Sequence, residues 1–273
     1  MMAVRRPAVA GQFYPADRAA LRDMLRGLYE QGGGMAGSRS AYPACVSPHA
    51  GYQYSGAVAA GVYRVMDIPS RCVILGPNHT GRGPKASVMA RGCWTTPLGD
   101  VPLDEALTER LLRRCPWLTA DTEAHRAEHS IEVQLPFLQY LQPVLSLVPV
   151  VLYPIGLEGY QALGEALAET IREDGIPTLL IASSDFTHYE RQADAERKDR
   201  LAIEAVEAMD AGELCRRVEH HSISMCGYAP TSVVLAAARR LGCSRGRLLS
   251  YQTSGDTTGD YASVVGYAGL AFS

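Results

Sequence analysis

Lysine is nearly missing from this 273-residue chain: Lys85 and Lys198 are the only two, so arginine supplies the rest of the 26 basic residues. Two amines leave few candidates for Schiff-base chemistry. The seven cysteines form an odd set with no C-x-x-C pair, a spacing that supports neither a zinc ribbon nor a disulfide framework. Long apolar runs are missing too. The stretch from Val144 to Leu157 is interrupted by Ser146, Pro149, Pro154 and Gly156 and is shorter than a membrane span. Arg5 and Arg6 precede a segment too short and polar for a signal-peptide core. These absences point to the cytoplasm, with reduced cysteines. A net charge of −3 argues against an electrostatic nucleic-acid or membrane-surface binder.

What is present reads as an ordinary globule, 47% hydrophobic and 20% charged. The length suits one α/β domain over residues 1–273. A helix is predicted from Asp17, as N-cap, to Tyr29, with Leu21, Met24, Leu25 and Leu28 at helical spacing. The glycine-rich stretch Gln31 to Ser40 then reads as a surface connection, because no strand precedes it as a phosphate loop requires.

Strands and helices alternate after that. Ala44 to Ser47, Arg71 to Leu75, Ser87 to Ala90, Leu145 to Leu152 and Pro177 to Ala182 read as strands, several of them apolar on both faces. Helices are expected from a Ser55 cap to about Met66, after Asp104, around Ser130 to Leu141 with its regular part near Pro136, and from Leu157 to Asp174. Two more follow, Gln192 to Met209 and Pro230 to Leu241, the latter with Gly242 just past its end. Strand-like runs at Leu248 to Gln252 and Ala262 to Phe272 close the chain. The alternation predicts a three-layer α/β sandwich, with a largely parallel or mixed central sheet and helices on both faces.

Three of the seven histidines fall just after a predicted strand: His49 in CVSPHAGY, His79 in VILGPNHTG and His188 in LIASSDFTHYE. Ligands of open α/β sheets bind at the carboxyl ends of strands, so three imidazoles there suit a metal or acid–base site. Each of them alone also reads as a loop histidine bonded locally. Cys226, in SMCGYAP, lies just before a helix start, where the dipole would favour thiolate. It reads as a soft metal ligand, as a nucleophile with a histidine base, or as a small buried hydrophobe. Cys72 and Cys45 fit that last reading better.

The string His125-Arg126-Ala127-Glu128-His129 spells the H-x-x-E-H of inverzincin peptidases. Its polar upstream residues argue against a helix, so a loop or first turn is expected, with Glu128 and His129 supporting the strand-end site. Asp185 reads as an orienting or acid–base group, or as a turn residue. Tyr52, Tyr54, Tyr189 and Tyr228 are candidates to line a pocket for an aromatic or peptide substrate.

SPHAGYQYSG, LGPNH, the segment Trp94 to Asp100, EHSIEVQLPFL, SSDFTH and MCGYAP, in this order, resemble the Memo family, and the likeness runs from Val9 to the final strand. The family includes a mediator of ErbB2-driven cell motility, and its bacterial and archaeal members often accompany radical-SAM and AMMECR1-like proteins. The resemblance implies a fold similar to class III extradiol dioxygenases of the LigB type, which bind Fe(II) with two histidines and a glutamate. Carried over by motif, His49 and His79 look like the metal-binding histidines, Cys226 like the third ligand and His188 like the catalytic histidine; beside that likeness, Asp185 and His129 are read as supporting His188 in moving protons. Cysteine in place of glutamate argues against ring cleavage of catechols and for redox chemistry on iron or copper in preference to zinc. The expected function is thus a metal-dependent oxidoreductase acting on an unknown small molecule or peptide. A non-catalytic module for phosphotyrosine-type peptides and a metal- or cysteine-dependent hydrolase are the alternatives.

Overall fold

The computed structural model describes residues 3–31 and 39–273, so most of the predicted Gln31 to Ser40 connection lies outside the described residues. The chain runs β1 (Val4–Arg5), α1 (Arg18–Gln31), β2 (Ala44–Ser47), α2 (Tyr52–Tyr63), β3 (Arg71–Pro77), β4 (Ala86–Val88), β5 (Cys93–Thr96) and β6 (Gly99–Pro102). It continues with α3 (Glu105–Arg114), β7 (Thr119–Ala120), α4 (Leu135–Leu141), β8 (Ser146–Leu152), α5 (Gly156–Asp174), β9 (Leu179–Ser183) and β10 (His188–Glu190). The last elements are α6 (Gln192–Glu207), α7 (Ala211–His220), α8 (Tyr228–Arg240), β11 (Gly246–Thr253), α9 (Gly255–Thr258) and β12 (Val264–Phe272).

One mixed sheet organises the molecule, in the order β10-β12-β2-β9-β3-β8-β4-β7, with β11 paired to β12. Its centre, β2-β9-β3-β8, is parallel. Both flanks are antiparallel at their join, β12 to β2 and β4 to β8. Side chains of a strand point alternately to opposite faces, and the core divides that way. Val73 and Leu75 of β3 pack with α3, α5, α7 and α8 on one face, while Cys72 and Ile74 pack with α1, α2 and α4 on the other. Strands covered on both faces must be apolar throughout, which is why the central runs lack a polar alternation. A separate three-stranded sheet, β1-β5-β6, brings the N-terminus in beside β5.

Some expected boundaries move. Ser55 is not a cap: α2 begins at Tyr52 after Gly51, and the Ser55 hydroxyl donates to the Ala50 carbonyl at 3.1 Å inside the helix. Gly51 opens the helix with no side-chain cap at all. Pro230 is the third residue of α8, where a missing N–H still costs nothing, and Gly242 follows the helix at φ +102°. The segment before α4 is a single tight turn, Glu132–Gln134, so the regular helix begins at Leu135, one residue before Pro136.

Candidate metal centre

The parallel register sets the site. Ser47 of β2 pairs with Ser183 of β9, and Pro77 of β3 ends beside Leu152 of β8. His49, Asp185 and His79 each lie two residues past the end of one of these strands, so three chain segments converge on one edge. His129 arrives from the loop before Glu132, and the four imidazoles of His49, His79, His129 and His188 line one cavity of about 670 Å³.

Ligand nitrogens of His49, His79 and His129 all lie within 4.8 Å of one another. Nitrogens that share an ion at about 2.1 Å each stand roughly 3–4 Å apart, so the set is close to a coordinating arrangement. His79 and His129 stack, with centroids 4.6 Å apart, and His49 meets both edge-on at 5.3 and 5.5 Å. The Cys226 sulfur is 3.2 Å from His49 Nε2, near the roughly 3.6 Å expected of a sulfur and a nitrogen on one tetrahedral ion. Three imidazoles from distant segments therefore meet, and the Cys226 sulfur lies against one of them, His49.

Hydrogen bonds fix which nitrogen of each ring is free. The Ser183 hydroxyl donates to the Ser130 carbonyl at 2.6 Å, so toward His49 Nδ1, 3.0 Å away, it can only accept. His49 therefore carries its proton on Nδ1 and turns the Nε2 lone pair to the cavity. Gln134 holds Ser183 in place, donating to its oxygen at 2.7 Å. For His79, buried Glu128 accepts the Nδ1 proton at 2.9 Å and the backbone N–H at 2.6 Å, again freeing Nε2. His188 Nδ1 donates to the Ser224 carbonyl at 2.9 Å, which leaves its Nε2 as an acceptor. These tautomers are the ones a metal site needs.

Burial holds His49 well below its ordinary pKa, with His129 and His79 adding to the effect. Burial lowers His129 as well, against the pull of Glu128. For His79 burial is the largest single influence and opposes the charge, but the bond to Glu128 together with the charges of Glu128 and Asp185 outweighs it, and the net shift is upward. Glu128 is held at about 2: burial, the largest single influence, would raise it, but the bond to His79, the charges of His79 and His129 and the Ser130 N–H together override that cost. Asp185 goes up to about 6 through burial, although it accepts the His49 N–H at 2.7 Å. Burial, with Asp185 beside it, pushes the Cys226 thiol well up. The thiolate expected from the start of α8 is not favoured in the metal-free site, and the Gly227 N–H at that helix end already donates to Ser184 Oγ at 3.1 Å.

The H-x-x-E-H string is not helical. His125 is buried elsewhere, 2.9 Å from Ser87 Oγ, while Glu128 and His129 turn to the strand-end site. Of the tyrosines singled out, Tyr54 and Tyr189 line the cavity. Tyr52 does not, because its hydroxyl donates to the Val133 carbonyl in the core, and Tyr228 packs against Tyr160. Sequence reasoning passed over Ser183, Gln134, Tyr267 and Phe13, whose ring meets His129 at 5.0 Å. It also passed over Arg5, which is buried over the Trp94 ring, donates to the Glu128 and His125 carbonyls and pairs with Glu132.

Among the described residues no helix is long and apolar enough to cross a membrane. A model of the Memo-like protein family matches residues 5–271. A MEMO1 family protein of Methanopyrus kandleri is 45% identical over 98% of both chains. One from Methanothermobacter thermautotrophicus is 44% identical over 98% of this chain and all of its own, and one from Aquifex aeolicus 41% over 99% and all of its own. The crystal structure of an uncharacterized Escherichia coli K12 protein superposes with a TM-score of 0.54 at 16% identity, over 84% of this chain and 99% of that one, a likeness of fold. With a family match over nearly its whole length and relatives above 40% identity, the chain belongs to the Memo-like family.

Proposed function

We propose that the chain is a metal-dependent redox protein whose ion is held by His49, His79 and His129, with the Cys226 sulfur as a fourth donor. The observation that supports this is the orientation of the rings: buried Ser183 and Glu128 each hold an Nδ1, which turns the Nε2 atoms of His49 and His79 toward one cavity. A histidine kept only for packing does not need its second nitrogen left free. His129 thus moves from a supporting role to a donor, because its ligand nitrogen lies within the same 4.8 Å group.

Imidazoles with one soft sulfur suit iron or copper, and such an ion would supply a change of oxidation state that zinc lacks. The protein's own contribution is orientation and proton handling. His188 Nε2 is a free acceptor on the cavity wall, fixed by the Ser224 carbonyl behind it. Asp185, poised near 6, can hold or release a proton at neutral pH beside the His49 ring, with Oδ2 4.0 Å from Nε2. A cysteine hydrolase is the weaker reading, since the Cys226 thiol is pushed up rather than activated.

Metal analysis of anaerobically purified protein beside His49→Ala, His79→Ala and Cys226→Ser tests this. Stoichiometric iron or copper is expected in the parent and at least ten-fold less in both histidine variants. Unchanged metal in those two variants overturns the proposal.

A further inference from the structure

The cavity above the histidines is wide enough for a small organic molecule, and its charge is one-sided. Among the described residues lining it there is no arginine and no lysine. The charged side chains besides the imidazoles are Asp185 at the base and Asp260 at the rim. The remaining rim offers neutral donors, acceptors and flat faces, among them Gln53, Tyr54, Tyr189 and Ser263. In a chain with 26 basic residues, their absence from this wall is informative.

A phosphate or polycarboxylate is recognised by arginine forks, by lysine, or by free backbone amides at a helix start. The first two are missing from the wall. The third is taken. The start of α2 borders the cavity, but the Tyr52 N–H already donates to the Phe13 carbonyl at 2.8 Å. Just before it, the His49 N–H is held by the Asp185 carboxylate. The protein's own anion occupies the place where a ligand's anion would sit. His79 is likewise paired with Glu128. Asp260 is exposed at the rim; its side chain accepts from the Ala262 N–H at 2.9 Å, and among the described residues no ion pair neutralises its charge.

From this wall we propose that the site takes a substrate whose outward part is uncharged or cationic, an amine- or amide-bearing molecule with a flat face, and rejects phosphorylated or polycarboxylate molecules. Tyr54 and Tyr189 offer ring faces to such a molecule, and Asp260 attracts its cation. The inference rests on reading the cavity as the substrate entrance to the proposed metal centre. It does not depend on which ion is bound.

The test reads the charge preference of the rim directly. Ser263→Cys places a thiol on the exposed wall of the full-length protein, with wild-type protein as background. Its rates with a cationic and an anionic methanethiosulfonate of matched size are compared at low salt, relative to the same two rates for a free small thiol. The cationic reagent should be favoured by roughly five- to ten-fold beyond that reference, as one nearby charge in a wet rim would give. Adding Asp260→Asn, which keeps the oxygen that accepts from Ala262, should remove most of the preference. An equal or faster reaction of the anionic reagent overturns the proposal and returns phosphorylated ligands to consideration. Because the readout needs no metal, it stands apart from failure or success of the metal analysis.

Discussion

Glu128 and Glu132 lie one helical turn apart in sequence, both fully buried, and do opposite things. Glu132 is closed on all sides. It pairs with the Arg5 guanidinium and accepts from the Ala8 N–H at 2.7 Å, the Val9 N–H at 3.1 Å and the Tyr14 hydroxyl at 2.6 Å. Among the described residues Glu128 has no arginine side chain as a salt-bridge partner; its ion-pair partners there are the imidazoles of His79 and His129. A saturated carboxylate fixes the N-terminal segment against the core, whereas one spent on an imidazole aims that ring at a cavity. Satisfaction of a buried charge by a permanent cation marks framework, and its satisfaction by a histidine marks the site.

The largest effect should come from breaking the framework pair. Glu132→Ala leaves Arg5 buried without its partner and should cost about 3–5 kcal/mol in denaturant unfolding. A loss below about 1 kcal/mol would show that the two carboxylates are not different in kind. Glu128→Gln keeps the shape but loses the charge that orders His79. Metal affinity should fall about 10- to 100-fold, with a smaller change in unfolding midpoint than Glu132→Ala. Titration of apo-protein with metal checks it, and unchanged affinity would remove Glu128 from the site.

The two carboxylates at the site differ from each other in pH dependence. Asp185 has its folded pKa raised to about 6 from 3.8, so the folded state binds the extra proton between those values. Asp185's contribution to the stability of the metal-free protein should therefore fall as pH rises from about 4 to 6 and level off above, against the opposite contribution of the buried, lowered His49 and His129, and the difference between parent and Asp185→Asn isolates it. Glu128, held at about 2 against 4.5, acts with the opposite sign: its contribution is complete above about 4.5 and is lost as pH drops toward 2. Denaturation midpoints across pH 3–8 read both. The smallest effect belongs to Tyr14→Phe, which removes one of the donors to Glu132 and should cost about 1.5 kcal/mol without touching metal affinity.

Much of the architecture was legible because doubly covered strands must be apolar along their whole length. Ala44 to Ser47, Arg71 to Leu75 and Pro177 to Ala182 could therefore be placed, and with them the residues that follow each strand end, His49, His79 and Asp185. The short α7 was missed, although Asp210 followed by Glu213 is a capping signal and Asp210 does accept the Glu213 N–H at 2.9 Å. The β1-β5-β6 sheet was missed for a different reason: a two-residue strand carries no periodicity. His129 was recognised as belonging near the site but given the lesser role, since no strand delivers it. Its position depends on a loop held by Arg5, 127 residues away from the Glu132 it pairs with, and no local pattern reports a contact of that separation.

The central claim is that one ion sits among these side chains, and element-specific anomalous scattering from crystals of anaerobically purified, metal-sufficient protein tests it most directly. The account predicts a single strong peak at the iron or copper edge, about 2.1 Å from nitrogens of His49, His79 and His129 and about 2.3 Å from the Cys226 sulfur. A metal-replete crystal with no peak at that position, or with its peak elsewhere in the chain, contradicts it.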